Sequence, residues 1–437
     1  MSRPPGFNVI GHLSSSSGLA NAARSFASVL KANGYPVVGL DVEYTAGAGG
    51  RGSNPVEIEL ARSVDVLPFG YNLVFLSIER LTSMWLRRMP GLQEPRFRNA
   101  CFLFWELPVL PKPWVPSLAL FDALVACSPF VKQVLESSIT DVPTIYAEHP
   151  LLEPPALESR NSVRERLRIP HDAFLFCASF DLTGDISRKN PLALVEVFRQ
   201  AFPTDPDVRL LLKCNGTLER AQRHPQLRVA LEAISRDPRI HLLVETIPYE
   251  AVLALYAASD AYLSFHRAEG LGLGPMEAMK LGKPVAATGF SGNMAYMTEQ
   301  NSILIPYRLI KTSGSNWQYT ASFAGSGAVW AEIDRDAAVD AVQRLRSDPA
   351  LRERLGSRAR RDIAERQETA SRAPYVEWLI STLDRSDRVE KRREFARHLR
   401  WAERLNPVLM QLNGKAALAR FVSRSAPPAR GTENPSH

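Results

Sequence analysis

Two carboxylates eight positions apart, Glu269 and Glu277, bracket the run Gly270-Leu271-Gly272-Leu273-Gly274. Pro275 follows at the expected first helical position, where its fixed φ is an advantage and its missing N–H costs nothing. Met276–Lys280 is predicted as helix, with Gly282 as its stop and Pro284–Ala287 as a buried strand. Free backbone N–H groups at a helix N-terminus favour an anion, and the helix dipole adds to that preference. Ionised carboxylates accept hydrogen bonds from sugar hydroxyls. Phosphate beside polyol hydroxyls is the chemistry of a nucleotide sugar. Taken singly, Glu277 is equally an ordinary first-turn acid and the glycines an ordinary tight turn.

A second cluster lies upstream. The predicted strand Ala173–Ser179 leads into Thr183-Gly184-Asp185-Ile186-Ser187-Arg188-Lys189-Asn190-Pro191, and a helix is predicted over Leu192–Phe202. Adjacent cations in a polar turn after a strand suit a diphosphate clamp, or else form a solvated pair. Asp334-Arg335-Asp336 has the spacing of a metal-binding D-x-D. It opens the predicted helix Ala337–Arg346, which makes capping the stronger reading.

These residues need a scaffold. Phe7–His12 reads as a strand, Ser14–Gly18 as a turn, Leu19–Ala32 as a helix and Pro36–Val42 as a strand. That order is Rossmann-like, although the turn lacks the repeated glycines of a dinucleotide fingerprint. Gly18 is a candidate close-approach position. Strands at Leu73–Ser77, Asn99–Trp105 and Ala123–Ala126 continue the first half. Prolines at 143, 150, 154 and 155 mark an interdomain linker. Later strands at Val208–Lys213, Ile240–Glu245 and 260–265 alternate with helices at Gln226–Ser235 and Tyr249–Ala257. Such alternation predicts parallel sheets covered on both faces. Thr246–Pro248 leave a strand end where a nucleobase edge could rest. Residues 308–328, polar and aromatic with Trp317 and Tyr319 among them and Tyr307 just before, read as an inserted loop.

The run from Glu269 to Val285 resembles the signature of retaining glycosyltransferase family 4, with its paired glutamates and its E-A-M-x-x-G-x-P-V continuation. The resemblance spans about residues 6–383. It implies an α/β GT-B fold: two Rossmann-like domains with parallel sheets facing an interdomain cleft. The expected domains are 1–160 on the acceptor side, 161–366 for the nucleotide sugar, a crossover helix at 367–384, and a basic amphipathic tail at 385–437. The implied reaction moves a hexose from a nucleoside diphosphate sugar to a hydroxyl of a saccharide or lipid-linked glycan, with retention. A leaving-group phosphate oxygen would take the acceptor's proton.

By that resemblance Glu269 holds sugar hydroxyls and Glu277 the ribose. Lys189 and Arg188 hold the diphosphate, and the N–H groups of Gly270, Leu271, Gly272 and Leu273 face the leaving phosphate. Gly18, Thr246 and Pro248 complete the expected donor site. Neither a metal nor a resident cofactor is implied. The chain departs from the family in two places. Trp105 stands where many members have a histidine, beside Glu106, and is either a sugar-stacking or a core residue. Thr183 falls where an arginine is usual, so Arg188 would substitute. These departures keep a second reading open, that of a catalytically weak nucleotide-sugar-binding subunit of a larger assembly.

Composition excludes other classes. With 437 residues and 45% hydrophobic content the chain has core material for two domains. Residues 385–437 hold 12 Lys/Arg against 5 Asp/Glu, the whole of the net +7, so the body is neutral and carries no nucleic-acid groove. No apolar run is long enough to span a bilayer, and no signal peptide is legible, which points to the cytoplasm. Cys101, Cys127, Cys177 and Cys214 read as small buried thiols. Within 388–424, Val389, Phe395, Leu399 and Leu405 interleave with arginines at helical spacing, a pattern suited to an anionic membrane surface or, equally, to a helical pair packed on the protein or a solvated end.

Overall fold

The computed structural model describes residues 5–15, 17–42, 58–81, 89–153, 156–181, 185–216, 219, 228–229, 231–232, 234, 236–313, 319–320, 325, 327–395 and 397. Strands β1 (Phe7–Gly11), β2 (Val37–Asp41), β3 (Glu59–Leu60), β4 (Tyr71–Phe75), β5 (Arg98–Leu103), β6 (Ala123–Ala126) and β7 (Thr144–Tyr146) form one sheet. Its order is β3-β2-β1-β4-β5-β6-β7. A second sheet contains β8 (Phe174–Asp181), β9 (Val208–Asn215), β10 (Ile240–Val244), β11 (Ala261–Ser264), β12 (Val285–Thr288) and β13 (Ile303–Ile305), in the order β10-β9-β8-β11-β12-β13. Neighbours in both sheets pair in parallel. Parallel strands covered on both faces are largely apolar, which is why most of them read as apolar runs, with polar interruptions such as Asn8, Asn99 and Lys213.

In each sheet the first strand sits between its successor in sequence and a later strand. The strand order therefore reverses beyond the C-terminal ends of β1 and β8, where open sheets of this kind bind ligands. The turn preceding Gly18 and the turn carrying Arg188 and Lys189 both leave from these points. The Gly18–Ala32 helix starts there, with Ser17 as its cap. It buries Ala22, Ala23, Phe26 and Leu30 against the first sheet.

The Tyr375–Asp384 helix returns to the first domain. Tyr375, Val376, Leu379 and Leu383 join the core around Phe26 and Phe102, and the Phe26 and Tyr375 rings meet edge-on at 5.6 Å. Beyond it the chain stays on the protein. Arg392 is fully buried, pairs with Asp122 Oδ2 at 2.7 Å and donates to the Phe97 carbonyl at 3.0 Å. Phe395 is buried as well. This corrects the lipid-facing reading of 388–395: an arginine matched to a buried carboxylate and a phenylalanine in the core leave no amphipathic face there. Residues 398–437, with Leu399 and Leu405, lie outside the described residues, as do Thr183, Trp317 and half of the predicted helix Gln226–Ser235.

The predicted inserted loop is flanked by two strands that pair with each other, and several of its residues lie outside the described ones. These strands, β14 (Tyr307–Lys311) and β15 (Val329–Ile333), pair antiparallel, Tyr307 opposite Ile333. Their signal was weak because β14 points Tyr307 and Leu309 into solvent, 40% and 53% exposed. All four cysteines are buried and free, as the sequence predicts. No helix among the described residues is long and apolar enough to cross a membrane.

Candidate active site at the interdomain cleft

The helix after Glu269 begins two residues earlier than predicted, spanning Leu273–Lys280, so Pro275 is its third residue. The reason is local. Gly272 caps the helix at φ 84°, a left-handed conformation that only glycine adopts without strain. Gly274 then packs so closely that an added Cβ would stand 2.3 Å from the Tyr262 hydroxyl. Among the described residues, the N–H groups of Leu271, Gly272, Leu273 and Gly274 have no hydrogen-bond partner. They form the N-terminal crown of the helix and line a cleft of ≈ 560 Å³. That volume is in the range of small-molecule sites.

The cleft collects the predicted residues from both domains: Gly18, Glu106, Arg188, Lys189, Glu269 and Glu277 all line it. An added Cβ at Gly18 would meet Leu273 at 3.3 Å, a close approach across the domains. Ile247 and Tyr249 line the cleft, whereas Thr246 and Pro248 do not. Pro248 is instead the cap of the Tyr249–Ala258 helix, and Thr246 is exposed. The structure thus does not bring Thr246 and Pro248 into the cleft, whereas their neighbours Ile247 and Tyr249 reach it.

Arg188 and Lys189 close the short helix Ile186–Lys189, capped by Asp185. Lys189 Nζ lies 2.5 Å from Glu269 Oε1. Arg188 reaches Glu269 Oε2 at 3.1 Å, Glu106 Oε1 at 3.4 Å and the Ala268 carbonyl at 2.7 Å. Burial works against the Glu269 charge, but Lys189 and Arg188 outweigh it and hold the carboxyl down at about 2. Burial likewise disfavours the Arg188 cation, and Glu106 with Glu269 reverses this and raises its pKa. Burial raises the Glu106 carboxyl despite Arg188 beside it. The two cations are thus matched to two carboxylates in the ligand-free cleft.

Glu277 is in a different environment. Its Oε1 accepts from the Tyr249 hydroxyl at 2.9 Å. Burial dominates, with Tyr249 and Lys280 only partly opposing it, and the carboxyl rises to about 7. Two glutamates that look alike in sequence therefore differ in charge near neutrality.

Trp105 belongs to the core. It is buried, donates from Nε1 to the Val109 carbonyl at 2.8 Å and meets Trp114 edge-on at 5.0 Å. Its face is covered by Tyr319, stacked at 5.6 Å with an interplanar angle of 8°. Tyr319 also donates to Glu106 Oε2 at 2.8 Å. Sequence reasoning missed Tyr319 because its partners lie more than 200 positions away.

Asp334 caps the Arg335–Ser347 helix by accepting from the Ala337 N–H at 3.0 Å. Among the described residues no group of three or more His, Cys, Asp or Glu could hold a metal ion.

Residues 173–312 match the family model described as glycosyl transferases group 1. The fold is GT-B, and the chain is related to that family through its second domain. A glycosyltransferase from Rickettsia africae ESF-5 has a TM-score of 0.61 at 16% identity, over 88% of this chain and 100% of that one. Anabaena HepE in complex with UDP and glucose has a TM-score of 0.60 at 13% identity, over 86% and 100%. Sucrose-phosphate synthase from Thermosynechococcus elongatus has a TM-score of 0.59 at 16% identity, over 87% and 99%. At these identities the likeness is one of fold. No curated protein matches the sequence.

Proposed function

We propose that this protein is a retaining glycosyltransferase that moves a hexose from a nucleoside diphosphate sugar to a hydroxyl of a saccharide or lipid-linked glycan. One observation carries the reading: Glu269 and Glu277 face one cleft across the free N–H crown of the Leu273–Lys280 helix. Glu277 and Tyr249 hold the ribose, and Glu269 holds the sugar hydroxyls. A carboxyl held at about 2 is a poor base, so Glu269 orients the sugar and does not take its proton. The crown of N–H groups stabilises the charge that develops on the departing diphosphate. The bond from acceptor oxygen to anomeric carbon forms on the face from which the carbon–diphosphate bond breaks. A phosphate oxygen accepts the acceptor's proton.

A purified-protein assay against UDP, GDP and dTDP hexoses tests this. A bound donor at about 100 times its Kd raises stability by about 2.7 kcal/mol. Turnover that depends on an added glycan acceptor supports the transferase. The pairing of Arg188 and Lys189 with carboxylates favours one rival, a donor-binding subunit without chemistry. Binding without turnover identifies that rival. Release of the nucleoside diphosphate at equal rates with and without acceptor identifies a hydrolase.

A further inference from the structure

Lys213 is 4% exposed, yet it lines the cleft. It stands on β9 in register with Ser179 of β8, so both side chains leave the same face of the sheet. Ser179 Oγ lies 2.5 Å from the Tyr256 hydroxyl and 2.9 Å from that of Tyr262. A Cβ on Gly274 would come 3.3 Å from Ser179 Oγ. Lys213 therefore leaves the sheet on the side covered by the first turn of the Leu273–Lys280 helix, beneath the free N–H groups.

Among the described residues, its ammonium makes no hydrogen bond and no ion pair. Burial lowers its pKa, and Asp181 is the main opposite charge acting on it. The Asp181 carboxylate itself accepts from Asn215 at 3.1 Å. The side chain is buried along its length and meets the cleft, so its ammonium faces the space a ligand would occupy. A cation with no protein partner at that point is available to an anionic ligand.

Charge balance in the cleft says which ligand. Arg188 and Lys189 are matched to Glu106 and Glu269. Both are already engaged by carboxylates, contacts that an incoming diphosphate, with at least two negative charges, would have to share. We propose that Lys213 is a diphosphate-binding residue of the donor site, acting with the N–H groups of Leu271–Gly274. The inference rests on the nucleotide-sugar reading above and goes beyond it in naming the cation.

Calorimetry on the full chain tests it, with UDP, GDP and dTDP as probes and uridine, guanosine and thymidine as controls. Lys213→Met is expected to weaken the diphosphate that wild type binds by about tenfold or more, as loss of a charge-assisted contact should. Its nucleoside should bind within about twofold of wild type. Without ligand, K213M should melt at or above the wild-type temperature, because the ammonium has no protein partner to lose and the new side chain is of similar size. Lys213→Gln provides the same comparison if K213M does not fold. Equal diphosphate affinity in variant and wild type overturns the inference and leaves the donor site standing. Equal losses for nucleoside and diphosphate, or a lower melting temperature without ligand, also overturn it. Failure of wild type to bind any of the three diphosphates overturns the donor-site reading, and this inference with it.

Discussion

Ser128 donates from its hydroxyl to the Gly270 carbonyl at 2.7 Å, so the first domain holds the glycine-rich loop of the second. The same oxygen caps the Pro129–Ser138 helix by accepting from the Val131 N–H at 3.3 Å. Cys127 Sγ approaches the same carbonyl at 3.3 Å. The loop between the two glutamates is thus positioned by residues from outside its own domain.

Ser128→Ala should therefore lower both stability and turnover. Loss of the cap costs about 0.5–2 kcal/mol. Displacement of the loop should lower kcat by about tenfold with little change in KM, because orientation at the reacting centre is what is lost. Ser159, which caps the distant Arg160–Arg166 helix, is the control. Ser159→Ala should lower the melting temperature and leave kcat alone. Equal kinetic effects in the two variants would show that the Gly270 contact has no part in catalysis.

Glu269→Gln keeps the shape of the side chain and removes the charge shared by Arg188 and Lys189. Turnover should fall by about two orders of magnitude through loss of sugar orientation. Stability should fall too, since two largely buried cations lose a counter-charge. The folded carboxyl lies below its ordinary value, so its contribution to stability is present above about pH 4.5 and lost as pH falls toward 2. Acid titration followed by thermal melting should show that loss in wild type and not in the variant.

Glu277 should respond to pH in the opposite sense. Its folded carboxyl is raised to about 7, so its contribution to stability is complete below about pH 4.5 and is lost as pH rises through 7. Ribose hydroxyls bind better to the carboxylate than to the acid, so nucleoside affinity should tighten over the same rise. Glu277→Gln should flatten both profiles and raise the donor KM more than it changes kcat. A wild-type affinity independent of pH between 6 and 8 would remove Glu277 from the ribose site.

Truncation separates the docked part of the C-terminal segment from the residues beyond Arg397. Ending the chain after Asp384 deletes Arg392 and leaves the fully buried Asp122 without its ion pair. Stability should fall by about 3–5 kcal/mol. Ending it after Arg397 retains that pair and should melt as wild type does. If residues 398–424 bind anionic lipid, the shorter loss alone should abolish co-sedimentation with anionic vesicles at low salt.

Much of the scaffold was legible because parallel strands buried on both faces are long apolar runs, and because turns at the ends of β1 and β8 are polar. The loop from Glu269 to Gly274 was legible because glycines are required there by backbone geometry. Its helix start was misplaced because Pro275 is tolerated at the third position once Gly272 turns the chain. Pairings across the fold were not legible. Glu106 and Arg188 are 82 positions apart, and nothing local in either segment specifies the other. Trp105 could not be assigned from sequence because its cover, Tyr319, comes from an insertion whose solvent-facing strand lacks the apolar signal of a core element. Arg392 looked like a surface cation because its buried partner Asp122 lies in another domain of the sequence.

The ribbon that delivers Tyr319 begins at Tyr307 and ends at Ile333, and those two residues are paired neighbours. It leaves and rejoins the domain at a single point, so its length is almost uncoupled from the parallel sheet beside it. Closing a longer or shorter excursion costs little, because loop entropy grows only with the logarithm of length. The consequence is modularity. A change in its length would bear on the cleft chiefly through Tyr319, which holds Glu106. Change made there leaves the parallel sheet in place but reaches Trp105 and Glu106 through Tyr319.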